Sequence, residues 1–195
     1  KIVINDNGGT ALESAWTLTA TGNPATDPAT LSGPGAAGNT DVVSGALFDA
    51  GTYDLSESAG PAGYTASAWS CTAGQTGTEA KVTLALGDDI TCTITNNDNT
   101  AHLQLIKTVT NNNGGTAVAG DWTLTATGYD AASPDAGTYN LSESGGPAGY
   151  TQSSLTCSNS TGQVTSVTLG LGESVTCTFV NDDNAPSLTL VKTVI

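Results

Sequence analysis

The sequence has no methionine and no arginine, a single histidine, and only four lysines against 18 acidic residues. Without a cluster of basic side chains nothing can neutralise a phosphate backbone, which excludes an electrostatic nucleic-acid binder and argues against docking on an anionic membrane. No apolar run approaches the roughly 18 residues a membrane-spanning helix requires, so no membrane insertion is expected. His102 has no repeat equivalent and cannot by itself complete a nucleophile–His–acid set, and no phosphate-cradling loop is present. No signal peptide is visible. The chain opens directly on strand-like Lys1-Ile-Val-Ile4, as a processed or excised segment would. These absences leave little room for an enzyme. What is present is 195 residues, enough for one large domain or two small ones, with a net charge of −14 and 24 glycines among abundant Thr, Ala and Asn. That composition is typical of an extracellular β-sheet protein.

An internal repeat sets the organisation. Lys1–Ala11 returns at Lys107–Ala117 and Trp16–Gly22 at Trp122–Gly128, both at an offset of 106, whereas Asp49–Ser58 returns at Asp135–Ser144 with an offset of 86. The 20-residue difference is an insertion in the first copy, within residues 23–48. Leu103-Gln-Leu-Ile-Lys107 returns a last time as Leu188-Thr-Leu-Val-Lys192. The expected domains are residues 1–99, a first repeat with the insertion 23–48; residues 100–184, a second repeat; and residues 185–195, the first strand of a following repeat or a donated strand.

Each copy reads as all-β, in short alternating runs separated by Asn-Gly-Gly, Gly-Pro and Leu-Gly turns. Strands are expected in the second copy near 103–110, 121–127, 137–143, 149–157, 164–171 and 174–181. A further short strand is expected in the insertion, at Asp41–Val43 or Ala46–Phe48, with Asn23–Gly38 a loop or a minor edge hairpin. Six or seven antiparallel strands per copy predict tandem antiparallel β-sandwiches, two copies plus the first strand of a third.

Residues two apart on a strand share a face. Leu103, Leu105, Lys107 and Val109 are in phase, as are Tyr139, Leu141 and Glu143, and Val175, Cys177, Phe179 and Asn181. One lysine, one glutamate and one asparagine therefore each continue the inward row of their own strand. The first copy repeats the set with Lys1, Glu57 and Asn96, and the closing segment places Leu188, Leu190, Lys192 and Val194 in phase.

Leu-x-Leu-x-Lys on the first strand, Tyr53-Asp-Leu-Ser-Glu57 with Pro61-Ala-Gly-Tyr64, Tyr139-Asn-Leu-Ser-Glu143 with Pro147-Ala-Gly-Tyr150, and a last strand ending in Asn resemble the CnaB/SpaA-type prealbumin-like (Ig-like) domains of bacterial surface proteins and pilins. The resemblance implies that Lys107 and Asn181, and Lys1 and Asn96, can be joined by spontaneous isopeptide bonds assisted by Glu143 and Glu57. Elementary chemistry runs the same way, because burial favours neutral forms, an uncharged amine is a nucleophile, and a carboxylic acid can polarise an amide and carry protons. The alternative is a buried Lys–Glu ion pair with Asn as a hydrogen-bond partner. Lys1 lacks the preceding Leu-x-Leu, which weakens the match of the first copy.

The four cysteines depart from that family pattern and fall one pair per copy, Cys71/Cys92 and Cys157/Cys177. Each pair connects the strand after Pro-Ala-Gly-Tyr to the last strand. Zinc spacing is absent, so two disulfides in an oxidising compartment are expected, with free core thiols as the alternative.

Asn5-Asp-Asn7, Asn97-Asp-Asn99 and Asn181–Asn184 cluster oxygens that calcium could use, although Asn or Asp before Gly more often forms a turn. Apart from that calcium, no cofactor is expected. Trp16, Trp69 and Trp122 are expected in the core. Lys81 reads as an ordinary surface charge.

The sequence thus predicts a structural extracellular module, beads on a stalk or fibre that partners itself head to tail or continues as a tandem chain. The rival reading is an adhesin whose insertion recognises a glycan or protein. The closing segment Pro186–Ile195 is a strand with no domain behind it, so it either continues into another repeat or inserts into the next subunit. Both arrangements are non-closing and build a fibre.

Overall fold

The computed structural model describes residues 1–22, 30–36, 42–72 and 80–194. The chain divides into two compact units, Lys1–Thr100 and Ala101–Ile195.

For unit 2 the alternating runs of the sequence become six strands: β10 (His102–Thr110), β11 (Trp122–Thr127), β12 (Gly137–Gly145), β13 (Tyr150–Cys157), β14 (Ser166–Leu169) and β15 (Ser174–Asp183). They form two three-stranded sheets, ordered β10-β15-β13 and β11-β12-β14. The inward rows of both meet in one core of Tyr139, Leu141, Val167 and Leu169 from one sheet and Leu155, Cys157, Val175, Cys177 and Phe179 from the other. That is a β-sandwich, with polar residues alternating outward.

Unit 1 repeats the plan with β1 (Ile2–Ile4), β2 (Thr17–Gly22), β3 (Thr30–Pro34), β4 (Gly51–Glu57), β5 (Tyr64–Ala66), β6 (Ser70–Cys71), β7 (Lys81–Leu84), β8 (Cys92–Thr93) and β9 (Thr95–Asp98). The sheet of β10-β15-β13 is broken here into β1-β9-β5 and β6-β8, and the second sheet is β3-β2-β4-β7. Among the described residues its buried core cluster is smaller, centred on Tyr53, Cys71 and Val82.

Most pairings are antiparallel, with one departure from the sequence expectation. In each unit the first strand pairs parallel to the last, β1 with β9 and β10 with β15. A parallel partner requires a long crossover, and here the whole domain supplies it. Short alternating runs do not encode that choice.

In the insertion the edge-hairpin alternative is the one found, and no strand lies among the described residues of 41–48. Its described strand is β3, an edge strand pairing Thr19 with Ser32, while residues 42–48 form turns and Asp41, 23–29 and 37–40 lie outside the described residues. An edge position tolerates Gly33-Pro34. His102 starts β10 opposite Ser174. Lys81 is surface-exposed, 4.0 Å from Asp54. Residues 185–194 form no strand, and Ile195 lies outside the described residues.

Candidate intramolecular cross-linking sites

Parallel pairing brings the far halves of the first and last strands to the same end of the sheet. Val109 lies opposite Asn181 and Val3 opposite Asn96, so each lysine sits two residues out of register from its asparagine on the same inward face. A lysine side chain spans that diagonal. The neighbouring sheet supplies the third residue, Glu57 from β4 and Glu143 from the corresponding strand β12.

In unit 1 the Lys1 Nζ donates to Glu57 Oε2 at 2.9 Å and also to Asn96 Oδ1. The Lys1 side chain is 0% exposed and Glu57 12%, so this pair is withdrawn from water. In unit 2 the Lys107 Nζ donates to Glu143 Oε2 at 2.5 Å, and the lysine side chain is 4% exposed. Asn181 is buried beside it with no hydrogen-bond partner for Oδ1. An unsatisfied buried carbonyl costs about 1–3 kcal/mol, an arrangement that native proteins keep mainly at reactive or strained positions. A bulge in β13 between Gln152 and Ser154 falls opposite Asn181, where bulges commonly re-aim side chains.

The tryptophans have a role the sequence reading missed. Trp16 and Trp122 are buried, but each forms a roof over its lysine, with Nζ 4.4 Å and 4.6 Å from the ring centroid. The electron-rich ring face stabilises the ammonium while excluding water. Tyr64 and Tyr150 of the Pro-Ala-Gly-Tyr motifs meet these indoles edge-on, at 5.3 Å and 5.5 Å. Gly60 and Gly146, just after each Glu box, leave the space that the indole occupies. Trp69, by contrast, is only half-buried and stands outside the core, beside the short strand β6.

Two residues beyond each asparagine on the same strand, Asp98 and Asp183 continue the inward row and are buried. Asp98 accepts backbone N–H bonds from Asp6, Asn7 and Gly9, and Asp183 from Asn112, Asn113 and Gly115. Of the oxygens read from sequence as candidate calcium ligands, those of Asp98 and Asp183 are thus bonded to the Asn-Asp/Asn-Asn-Gly-Gly loop that follows the first strand. Among the described residues no group of three or more His, Cys, Asp or Glu is arranged to hold a metal.

Burial opposes the charge of both aspartates, but the N–H bonds from Gly9, Asn7 and Asp6, and from Gly115, Asn112 and Asn113, outweigh it and hold both carboxyls below the usual 3.8. A carboxyl depressed in the folded state stabilises fully above its unfolded pKa, and that contribution vanishes as pH falls through the folded value. The thermal midpoint is therefore expected to hold down to about pH 4 and to fall below it. Asp183→Asn should flatten the acid limb for unit 2 in a calorimetric pH series.

The same loop makes a steric prediction. A Cβ at Gly115 would lie 2.8 Å from Asp183 Oδ2 and against the Tyr150 hydroxyl, whereas one at Gly120 meets nothing within 4 Å. Gly115→Ala should cost about 1–3 kcal/mol in urea unfolding, and Gly120→Ala less than about 0.5 kcal/mol.

The structure joins Cys71 to Cys92 and Cys157 to Cys177, with Cα atoms 4.0 Å apart in each pair. Both sit directly opposite in register, across β6–β8 and β13–β15.

A family model, that of a prealbumin-like fold domain, matches residues 1–94 and 98–179. Among solved structures, the C-terminal fragment of the pilus adhesin SpaC from Lactobacillus rhamnosus GG is similar at 15% identity, covering 96% of this chain and 98% of that one, with a TM-score of 0.41. A structure of the pilus adhesin SpaC from the same organism is similar at 12% identity, covering 93% of this chain and 31% of that one, with a TM-score of 0.36. No curated protein matches.

Proposed function

We propose, from the premise that the chain belongs to the prealbumin-like fold domain family and carries the domain twice, that it is a structural module of an extracellular fibre or stalk whose beads are closed by Lys–Asn isopeptide bonds. The observation that carries the reading is the pair of buried triads. In both units a lysine amine, shielded from water beneath a tryptophan, contacts a glutamate while an asparagine lies on its diagonal.

The chemistry balances within those residues. Lys107 passes a proton from Nζ to the Glu143 carboxylate across their hydrogen bond. The resulting amine attacks Cγ of Asn181, and the protonated Glu143 donates to the amide carbonyl oxygen as the tetrahedral centre forms. Collapse breaks the Cγ–Nδ2 bond. The amine's second proton passes through Glu143 to the departing nitrogen, and the hydroxyl proton follows by the same carboxylate as the carbonyl re-forms, giving one amide, one ammonium ion (ammonia plus a proton) and a regenerated carboxylate. Lys1, Glu57 and Asn96 repeat the sequence in unit 1. The event happens once and its product stays attached, so it is self-modification and not turnover.

The bonds have a mechanical consequence. In unit 2 the disulfide ties β13 to β15, and the isopeptide would tie β15 to β10, making that sheet covalently continuous across its three strands. The chain enters unit 2 at the start of β10 and leaves from the end of its parallel neighbour β15, so tension pulls these strands past each other. A covalent link between them bears that shear directly. The two disulfides support an oxidising compartment, in keeping with a location outside the cell.

The adhesive reading rests on a cleft of about 310 Å³ in unit 1, which Leu31, Val42 and Phe48 of the insertion help to line. Removing residues 23–48 separates the readings, since an adhesin loses binding to host glycans or proteins and a spacer does not. The structural reading itself is tested by acetylating the unfolded, reduced chain. Lys107 should resist acetylation and remain linked to the Asn181 peptide after proteolysis, whereas a freely acetylated Lys107 would refute the bond.

A further inference from the structure

The strands β10 and β15 lie side by side with the rest of unit 2 between them in sequence, so no tight turn fixes their alignment. A slip of two residues keeps every side chain on its own face. It would trade the outward pairs Ile106–Thr178 and Thr108–Val180 for Ile106–Thr176 and Thr108–Thr178, a minor change. The same slip carries the Lys107 amine roughly 7 Å further from Asn181 along the strand. One buried carboxylate in each unit ties these strand ends together and takes no part in the cross-linking chemistry. Asp183 is the last residue of β15, and it accepts backbone N–H bonds from Asn112 and Asn113 at 2.9 Å and from Gly115 at 2.6 Å, in the loop directly after β10. Asn113 returns a side-chain N–H to the Asp183 carbonyl. Asp98 holds Asp6, Asn7 and Gly9 in the same way after β1, and Asn7 returns the same bond. The loop of unit 2 has a second anchor in Tyr150, whose hydroxyl accepts from the Ala117 N–H and donates to Asn111 while its ring meets the Trp122 roof.

We propose that Asp183, with Asp98 as its counterpart in unit 1, is the positioning residue of the self-cross-linking reaction. It clamps the lysine strand and the asparagine strand in the one register that brings amine and amide together. The inference rests on the isopeptide reading. The clamp acts through the backbone and not on the reacting atoms, which must come within about 3–3.5 Å to react. Hydrogen bonds to an ionised carboxylate are short and strong, and several converging on one buried group leave the loop a single place to sit. Gly115 belongs to the device, because a Cβ there would lie 2.8 Å from Asp183 Oδ2 and hold the loop off the carboxylate.

The rate of bond formation tests it. The full 195-residue chain, recovered unfolded from inclusion bodies at its full sequence mass, is refolded under oxidising conditions. Samples quenched over time are digested and assayed for the peptide joining Lys107 to Asn181. Val167→Ala, in β14 of the other sheet, is the control for lost stability alone. At equal fraction folded, Asp183→Asn and Gly115→Ala should each form the bond about tenfold or more slower than Val167→Ala. Gly120→Ala, whose Cβ meets nothing within 4 Å, should keep the parent rate. An aspartate that only stabilised the fold would leave no such difference once folding is matched. Either Asp183→Asn or Gly115→Ala keeping pace with Val167→Ala overturns the clamp and leaves the parent's cross-link standing. A parent that folds without joining Lys107 to Asn181 sinks the cross-linking reading, and the positioning role with it.

Discussion

Glu143→Ala is expected to lower the melting point of unit 2 by about 12 °C or more, the largest effect of any single substitution in that unit. The variant leaves the Lys107 amine, 4% exposed, without its carboxylate, and breaking such a buried pair costs about 3–5 kcal/mol. A kilocalorie corresponds to roughly 4–8 °C in a domain of this size. The covalent account adds a second loss. A bond between Lys107 and Asn181 closes a loop of roughly 75 residues, which by unfolded-state entropy contributes about 4–5 kcal/mol. The paired change Lys107→Met with Glu143→Met tells these contributions apart. Replacing a plain buried ion pair by apolar residues is often neutral or stabilising. A lost covalent tie is not recovered that way, so the double variant should remain several kcal/mol less stable than the parent in urea unfolding. A double variant as stable as the parent would reduce the triad to an ion pair.

Removing the disulfides has the second largest expected effect, and it should be unequal. The two bridges close loops of similar size, with separations of 21 and 20 residues, so each contributes about 3 kcal/mol. Among the described residues unit 1 has the smaller buried core cluster, built around Tyr53, Cys71 and Val82, and so has less to offset the loss. Cys71→Ala with Cys92→Ala should lower the unit 1 transition further than Cys157→Ala with Cys177→Ala lowers that of unit 2. Calorimetry of the two double variants checks this, and equal shifts would contradict the link between core size and bridge dependence.

The sequence revealed what a strict period of two encodes. Lys107, Glu143 and Asn181 could be placed on inward faces because strand parity admits only two answers, and the repeat supplied an independent copy of each. Alternation with Leu18 and Leu124 likewise puts Trp16 and Trp122 in the core, where they lie, and the same parity carried two residues past each asparagine reaches Asp98 and Asp183. The run of Asn and Asp around the two aspartates masks that phase, because the same residues also suit a turn or calcium ligands. Other features were not legible. The parallel pairing of β10 with β15 is set by contacts between residues far apart in sequence, which no local pattern contains. Between the loop and the minor edge hairpin that the sequence left open for this stretch, Thr30–Pro34 takes the edge strand, where its glycine and proline are tolerated. Trp69 shares a repeat position with buried Leu155, yet it stands at the broken edge of its sheet and lines the cleft.

The most direct test of the central claim is the intact mass of the native chain after full reduction and denaturation. Cross-linked beads predict a mass lower than the sequence requires by two molecules of ammonia, with Glu57→Ala and Glu143→Ala each restoring one. A chain at its full sequence mass, reduced and unfolded with every lysine reactive, would contradict the account in both units.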